Sequence, residues 1–424
     1  MSIFGSEIGE LAIPILALIS MSATAGELSF LRAAQFLPFL IATLPLGLLV
    51  DRARRRPLMV GADLGRFVLV AVIPVAVWIG HASMPVVAVL LFLVGVMTVL
   101  YQSADFALLP QLVTKEQLTD ANAKLSATYS AAEISGRGLG GMLVQALTPP
   151  VAVLVNACGY LGSALALTRL EVTEPAPQRR TDRRTREIFT GLRVAVRHPV
   201  LRGFLAGATI FNLGYEIFLL CVMLYLVKDL SASPLTVGLV LGAGGVGSLL
   251  GAWFGPRLSH KFHYGRVLLA TLALGNTAPL LVLASSVVGE FQAPLIGSVF
   301  MLMGLGIGIA GAHVVTVRQM VAPAEALGRV NAASRLVSWG AVPVGATLAG
   351  VLATVVGPRD GMVVGAVCLA IATVPVAASP VRTLSKVQDA LAWNAGPGGV
   401  LHHPEAYSPG DQRGDEPGSR EGLA

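Results

Sequence analysis

Twelve stretches of about 20 apolar residues, each ended by a short polar break, run through this 424-residue chain, and that is the length a helix needs to cross a bilayer's hydrocarbon core. Lipid offers no water to satisfy exposed backbone groups, so such a chain folds into helices whose hydrogen bonds stay inside each segment. The expected spans are 2–20, 28–50, 57–79, 85–107, 125–147, 151–170, 200–226, 235–256, 266–287, 293–317, 332–356 and 362–380. Only 13% of residues are charged, about half the share in a soluble domain, which leaves too little polar surface for water to be the main solvent. The expected fold class is an all-α integral membrane protein.

The net charge is +6, and its placement says more than its sum. Arg52, Arg54, Arg55 and Arg56 follow the second span, Lys115 and Lys124 the fourth, and the basic run from Arg179 to Arg197 the sixth. Loops after odd-numbered spans carry Lys228 and Arg359. The positive-inside rule then puts both termini in the cytoplasm, in a multi-pass cytoplasmic-membrane protein. Charge arranged this way anchors helices and does not bind nucleic acid. Cys158, Cys221 and Cys368 all fall inside spans, so neither a disulfide frame nor a thiolate metal site is expected.

Residues 171–199 are the longest polar interval and divide the spans six and six. The expected domains are an N-terminal six-helix bundle at 1–170, a cytoplasmic loop at 171–199, a C-terminal six-helix bundle at 200–380 and a disordered cytoplasmic tail at 381–424. The halves echo each other. "TKEQLTDANAKLS" at 114–126 aligns with "APAEALGRVNAAS" at 322–334, placing Glu116 over Glu325 and Asn122 over Asn331, with Gly141 and Gly350 following at equal distance. Two parallel repeats of this kind are the sequence trace of a transporter whose halves rock about a central site.

The stretch "GLLVDRARRR" from Gly47 resembles the signature that the major facilitator superfamily carries between its second and third helices, with Arg54 where that signature has glycine. "LLPQLVTKEQLTDANAKL", "IFTGLRVAVRHPVLRG" and "LGRVNAASRLVSWGAVPVGATLAG" are similar to the macrolide-efflux and enterobactin-export branch. "GRGLGG" resembles the helix-5 antiporter motif with Arg137 in place of proline. The resemblance covers roughly residues 2–380. It implies two six-helix bundles that rock about a midplane cavity lined mainly by spans 1, 4, 7 and 10. It also implies efflux of an amphipathic small molecule such as a drug, macrolide or siderophore, no cofactor, and a monomer.

The candidate gate is Gly47, Asp51, Arg52, Arg55 and Arg56, with Asp105 at the end of the fourth span as partner for the arginines. Positive-inside anchoring alone accounts for Arg55 or Arg56. Ionisable residues inside a span are costly and mark function by default. Glu216 has no basic residue within one turn on its own helix. A desolvated carboxylate takes up and releases a proton readily, as coupling requires, and it could equally bind a cation or neighbouring polar groups. Asn212 is its expected companion. Glu7 and Glu10, three apart, share a helix face that should point into the cavity. Glu133 and Arg137, four apart, either couple protons or neutralise each other in place. Asp63 and Arg66 are expected to serve folding and the latch. His313 is a further proton candidate, although a lone histidine is more often a satisfied hydrogen-bonding residue.

"GAGGVG" at 242–247 and "GIGIAG" at 306–311 have dinucleotide-loop spacing but no strand before them, so they read as helix-packing glycines. His260 and His263 lack a third ligand for a metal. No nucleophile and base pattern and no phosphate loop of the ATPase type is present, so no enzyme is expected. The expected function is proton-coupled export of an amphipathic small molecule. The alternatives are a metabolite importer or facilitator, or a non-transporting sensor or assembly factor on a transporter fold.

Overall fold

The computed structural model describes residues 2–112, 128, 131–132, 135–136, 138–169, 184–323 and 326–393, and no strand occurs among them. The first half contains α1 (Ser2–Ile15), α2 (Ala25–Ile41), α3 (Thr43–Arg52), α4 (Arg55–Trp78), α5 (Met84–Leu112) and α6 (Pro149–Thr168). Helix α7 (Arg184–Arg197) follows, and then the second half: α8 (Pro199–Leu224), α9 (Pro234–Lys261), α10 (Tyr264–Thr277), α11 (Gln292–Val321), α12 (Leu327–Val355), α13 (Pro358–Ile371) and the short α14 (Val374–Ala377). Residues 138–146 are helical as well.

Ten of the helical segments among the described residues are long and apolar enough to cross a membrane, or eleven when the bent pair α2 and α3 is taken as one span. The expected span at 125–147 lies largely outside the described residues. Lipid-facing stripes follow from helical periodicity: Val68, Val72 and Val75 on α4 point outward and are exposed, which in a bilayer is contact with acyl chains.

Where one straight span was expected at 28–50, the chain bends by 53° between α2 and α3. Pro45 explains the break, because it has no N–H to give the Ile41 carbonyl and its ring crowds that oxygen. The chain turns at Ala42, whose N–H is held by the Pro38 carbonyl at 2.8 Å.

The internal repeat extends beyond the motifs visible in the sequence. Helix α1 runs out in a π-helical turn, Leu16–Ser20, and α8 in another, Tyr225–Asp229. Each is followed by a serine with positive φ, Ser22 at 54° and Ser231 at 50°. These pairs keep the register of Asn122 with Asn331, and in that register Glu7 of the first half corresponds to Glu216 of the second.

In the first bundle α4 packs on α5 and α6, α1 on α6, and α2 on α5; in the second α9 packs on α11 and α8 on α12 and α13. The two bundles meet where α2 lies along α12. At the end away from the basic loops one continuous core joins them, with Ile13, Leu18 and Leu28 packed with Leu224, Leu226 and Ala353. At the basic end the core divides into two separate clusters, one around Met59, Leu100 and Leu108 and one around Phe204, Leu268 and Val317. The bundles are therefore fused at one end and parted at the other.

Two expectations are refined. The glycines of "GAGGVG" and "GIGIAG" are helical; Gly247 and Gly308 bring α9 and α11 together, a Cβ on either colliding with the facing backbone at Met301 or Ser248, and Gly306 brings α11 against Gly275 of α10. Order also continues past residue 380, where a disordered tail was expected to begin. The turns Pro380–Thr383 and Val387–Trp393 pack against the second bundle, burying Val381, Leu384, Ala390 and Trp393. The backbone N–H groups of Tyr264 and Gly265 donate to the Ser385 and Leu384 carbonyls, so apolar residues scattered among polar ones find a docking edge that composition did not announce.

Candidate functional site

Helix α2 begins with a capping box: the Thr24 hydroxyl accepts from the Glu27 backbone N–H, and the Glu27 carboxylate accepts from the Thr24 N–H at 2.8 Å. This fixes the helix's phase and turns Arg32 toward the seam between bundles. There Arg32 Nε donates to Glu216 Oε1 of α8 at 2.6 Å, and its Nη1 donates to Glu10 Oε2 of α1. Gln35 Nε2 donates to the other Glu10 oxygen at 3.2 Å. Arg32 and Glu216 are 8% and 3% exposed, so the pair is held away from water. A guanidinium cannot shed its proton, and removing either partner would strand a buried charge. With both carboxylates ionised the cluster carries one net negative charge, so a single added proton neutralises it.

A second polar cluster lies wholly inside the first bundle. Arg66 pairs with Asp63 one turn away on α4 and lies between two rings, its Cζ 4.4 Å from the Tyr101 centroid and 4.5 Å from that of Tyr160. Ser2 donates to Asp63 at 3.4 Å, and Ser6 bonds the Tyr160 hydroxyl at 3.0 Å. These contacts join α1, α4, α5 and α6 and do not reach the second bundle.

At the basic end, where the cores part, a cavity of about 360 Å³ opens between α2, α3, α5 and α12. Phe39, Leu44, Leu336 and Trp339 form apolar walls; Thr43, Gln102, Ser103, Asn331 and Arg335 supply polar groups. Arg335 of the second bundle donates to the side-chain amide oxygen Oε1 of Gln102 in the first. This cavity draws on spans 2, 4 and 11, whereas a cavity lined mainly by spans 1, 4, 7 and 10 was expected. An aromatic ladder connects it to the charge cluster: Arg32 lies 4.6 Å over Phe36, Phe36 is 5.6 Å from Phe39, Phe39 is 5.0 Å from Trp339, and Arg335 lies 5.6 Å over Trp339.

The structure brings Glu10 and Glu216 together. Glu7 is half-buried on α1, while Glu133 and Arg137 lie outside the described residues. Asn212 donates to the Ala208 carbonyl of its own helix at 2.9 Å, one turn before Glu216. His313 is buried in the second bundle against the edge of the Tyr264 ring, with 4.7 Å between centroids. Among the gate candidates, Gly47 lines the cavity. Arg56 is engaged within its own bundle, donating from Nε to the Leu167 carbonyl at 2.8 Å and from Nη2 to the Thr168 carbonyl, and so caps the end of α6. Asp51 and Arg52 close α3, Arg55 opens α4, and Asp105 lies on α5 one turn beyond Gln102.

Sequence reasoning missed Arg32, Gln102 and Arg335. Arg32 and Arg335 each stand inside an expected span, and the rule that flagged the buried glutamates applies equally to them. No sequence signal marked Gln102.

The sequence profile of the Major Facilitator Superfamily matches residues 1–346. The chain is 28% identical over 341 residues to an MFS-type transporter of Sinorhizobium fredii, covering 80% of this chain and 82% of that one. It is 29% identical over 361 residues to the multidrug efflux pump Tap of Mycolicibacterium fortuitum, covering 83% and 87%. With the macrolide efflux protein A of Streptococcus pyogenes it shares 26% identity over 216 residues, covering 50% and 53%. Its fold is similar to that of a bacterial homologue of the iron transporter ferroportin in an inward-facing state, with a TM-score of 0.69 at 17% identity, covering 89% and 95%. With this fold, its apolar spans and that profile, the chain belongs to the Major Facilitator Superfamily and is a multi-pass membrane transporter, not an enzyme.

Proposed function

We propose that the protein is a proton-coupled exporter of an amphipathic small molecule, acting as a monomer in the cytoplasmic membrane with both termini in the cytoplasm. The observation that carries this reading is Arg32 of the first bundle, held between Glu10 of its own bundle and Glu216 of the other. With the basic loops cytoplasmic, the parted end faces the cytoplasm and the fused end faces outward. Rocking to the opposite state requires α2 to move away from α8, which breaks the Arg32 to Glu216 pair. Protonating Glu216 removes the attraction that opposes this motion, and Arg32 then remains paired with Glu10. A proton entering from outside and a substrate leaving thus act on the same joint. Resemblance to pumps described as multidrug and macrolide efflux proteins supports the direction and the substrate class.

The test is proton movement in reconstituted vesicles on addition of macrolides, dyes and siderophores, comparing the native chain with Glu216→Gln. Substrate-dependent proton flux that the variant loses is the expected result. Substrate movement with no proton flux in the native chain would overturn the coupling.

A further inference from the structure

The cavity at the basic end holds chemistry that the charge cluster does not use. Its lining contains one charged side chain, Arg335, and neither aspartate nor glutamate among the described residues. Its apolar walls are dominated by two stacked rings, Phe39 and Trp339, with 29° between their planes. The kink at Ala42 creates the space, because α3 departs from the line of α2 and carries Thr43, Leu44 and Gly47 around the opening. At about 360 Å³ it lies toward the small end of the roughly 300–1,000 Å³ range of ligand pockets. That volume suits a single flat or single-tailed molecule and excludes a two-chain lipid.

We infer that this cavity binds an amphipath with a flat apolar body and an acidic head. The body lies on Phe39 and Trp339, and the carboxylate, sulfonate or phosphate head meets the Arg335 guanidinium, whose planar array of donors matches such oxygens. Gln102, Ser103 and Asn331 supply further polar groups for the head, while the Thr43 hydroxyl donates to the Phe39 carbonyl. A cationic head would be placed in a partly desolvated space whose charged lining, among the described residues, is positive. The arrangement thus selects the sign of charge. This inference rests on the transport reading above and narrows its substrate class.

The experiment uses the full chain in phosphatidylcholine nanodiscs, with Trp78, Trp253 and Trp393 changed to Phe so that Trp339 is the remaining tryptophan. Pyrenebutyrate and a pyrene-bearing quaternary ammonium of matched length are titrated, and energy transfer from Trp339 to pyrene is followed. Saturable transfer is expected for the carboxylate with at least tenfold tighter binding than for the cation. Arg335→Gln should shrink that preference to within about threefold and Arg335→Lys should keep most of it, while Leu336→Phe, which fills the cavity from its wall, should weaken both probes. Equal affinity for the two probes, or a preference unchanged in Arg335→Gln, overturns the inference. Should the carboxylate bind as expected yet move no protons or substrate in vesicles, the site stands and the transport reading fails. Proton-coupled transport of other compounds with no saturable transfer from Trp339 sinks the site and leaves the transport reading intact.

Discussion

Arg32 shows how one buried side chain can join two halves of a molecule. Both of its carboxylate partners accept charge-assisted hydrogen bonds from it, so its removal should be felt through them. Arg32→Met is expected to lower stability by about 3–5 kcal/mol, since it leaves uncompensated buried charge. Adding Glu10→Gln and Glu216→Gln to the same chain should restore most of the loss. Thermal unfolding in one detergent, comparing the single and triple variants, checks this, and equal melting temperatures would show that the pair carries no such burden. Asp63 and Arg66 make a contrasting case. Their charges are paired with each other within one bundle, and no rocking motion between bundles needs to disturb them.

Among the elements, α9 and α11 are joined through glycine. Gly304→Leu should abolish the close approach, because the added atoms meet the Gly244 backbone, while a Cβ on Gly311 of the same helix meets nothing within 4 Å. Gly311→Ala is therefore expected to be neutral or to stabilise by up to about 1 kcal/mol through helix propensity, and yield and melting temperature of the two variants separate packing from propensity. The C-terminal turns supply a pH-dependent element. His198, just before α8, bonds the Trp393 carbonyl at 2.9 Å, and burial holds its imidazole below its ordinary value despite that bond. A histidine whose folded-state affinity for protons is depressed stabilises the docked form above the unfolded value of 6.5, and this contribution is lost as pH falls below it. Residues Pro380–Trp393 should accordingly become more open to protease as pH drops from 7.5 toward 5, and His198→Phe should flatten the response.

The whole molecule is two repeats that meet reciprocally. Gly141 of the first half lies against Pro234 and Gly238 of α9, and its counterpart Gly350 of α12 lies against Ser29 of α2. A Cβ on Gly141 would come within 2.9 Å of the Pro234 carbonyl, so Gly141→Val and Gly350→Val should each wedge the fused end open. Spin labels at the exposed repeat positions His81 and Glu290 would report this as a longer distance population. An unchanged distance in both variants would remove these glycines from the closure.

The sequence by itself determined the solvent, the helical class, the division into repeats and the family signature, because apolar length, loop charge and motif spacing are properties of single segments. It also named Glu10 and Glu216, since a carboxylate within a span is costly wherever its helix packs. It did not supply Arg32 as their common partner, Gln102 opposite Arg335, the break at Ala42 or the docking of residues 380–393. Those depend on which helix face meets which, and residues as distant in the chain as Arg32 and Glu216 become neighbours only when α2 and α8 are packed. The sequence determined where charge is expensive, and the tertiary structure decided what relieves that expense.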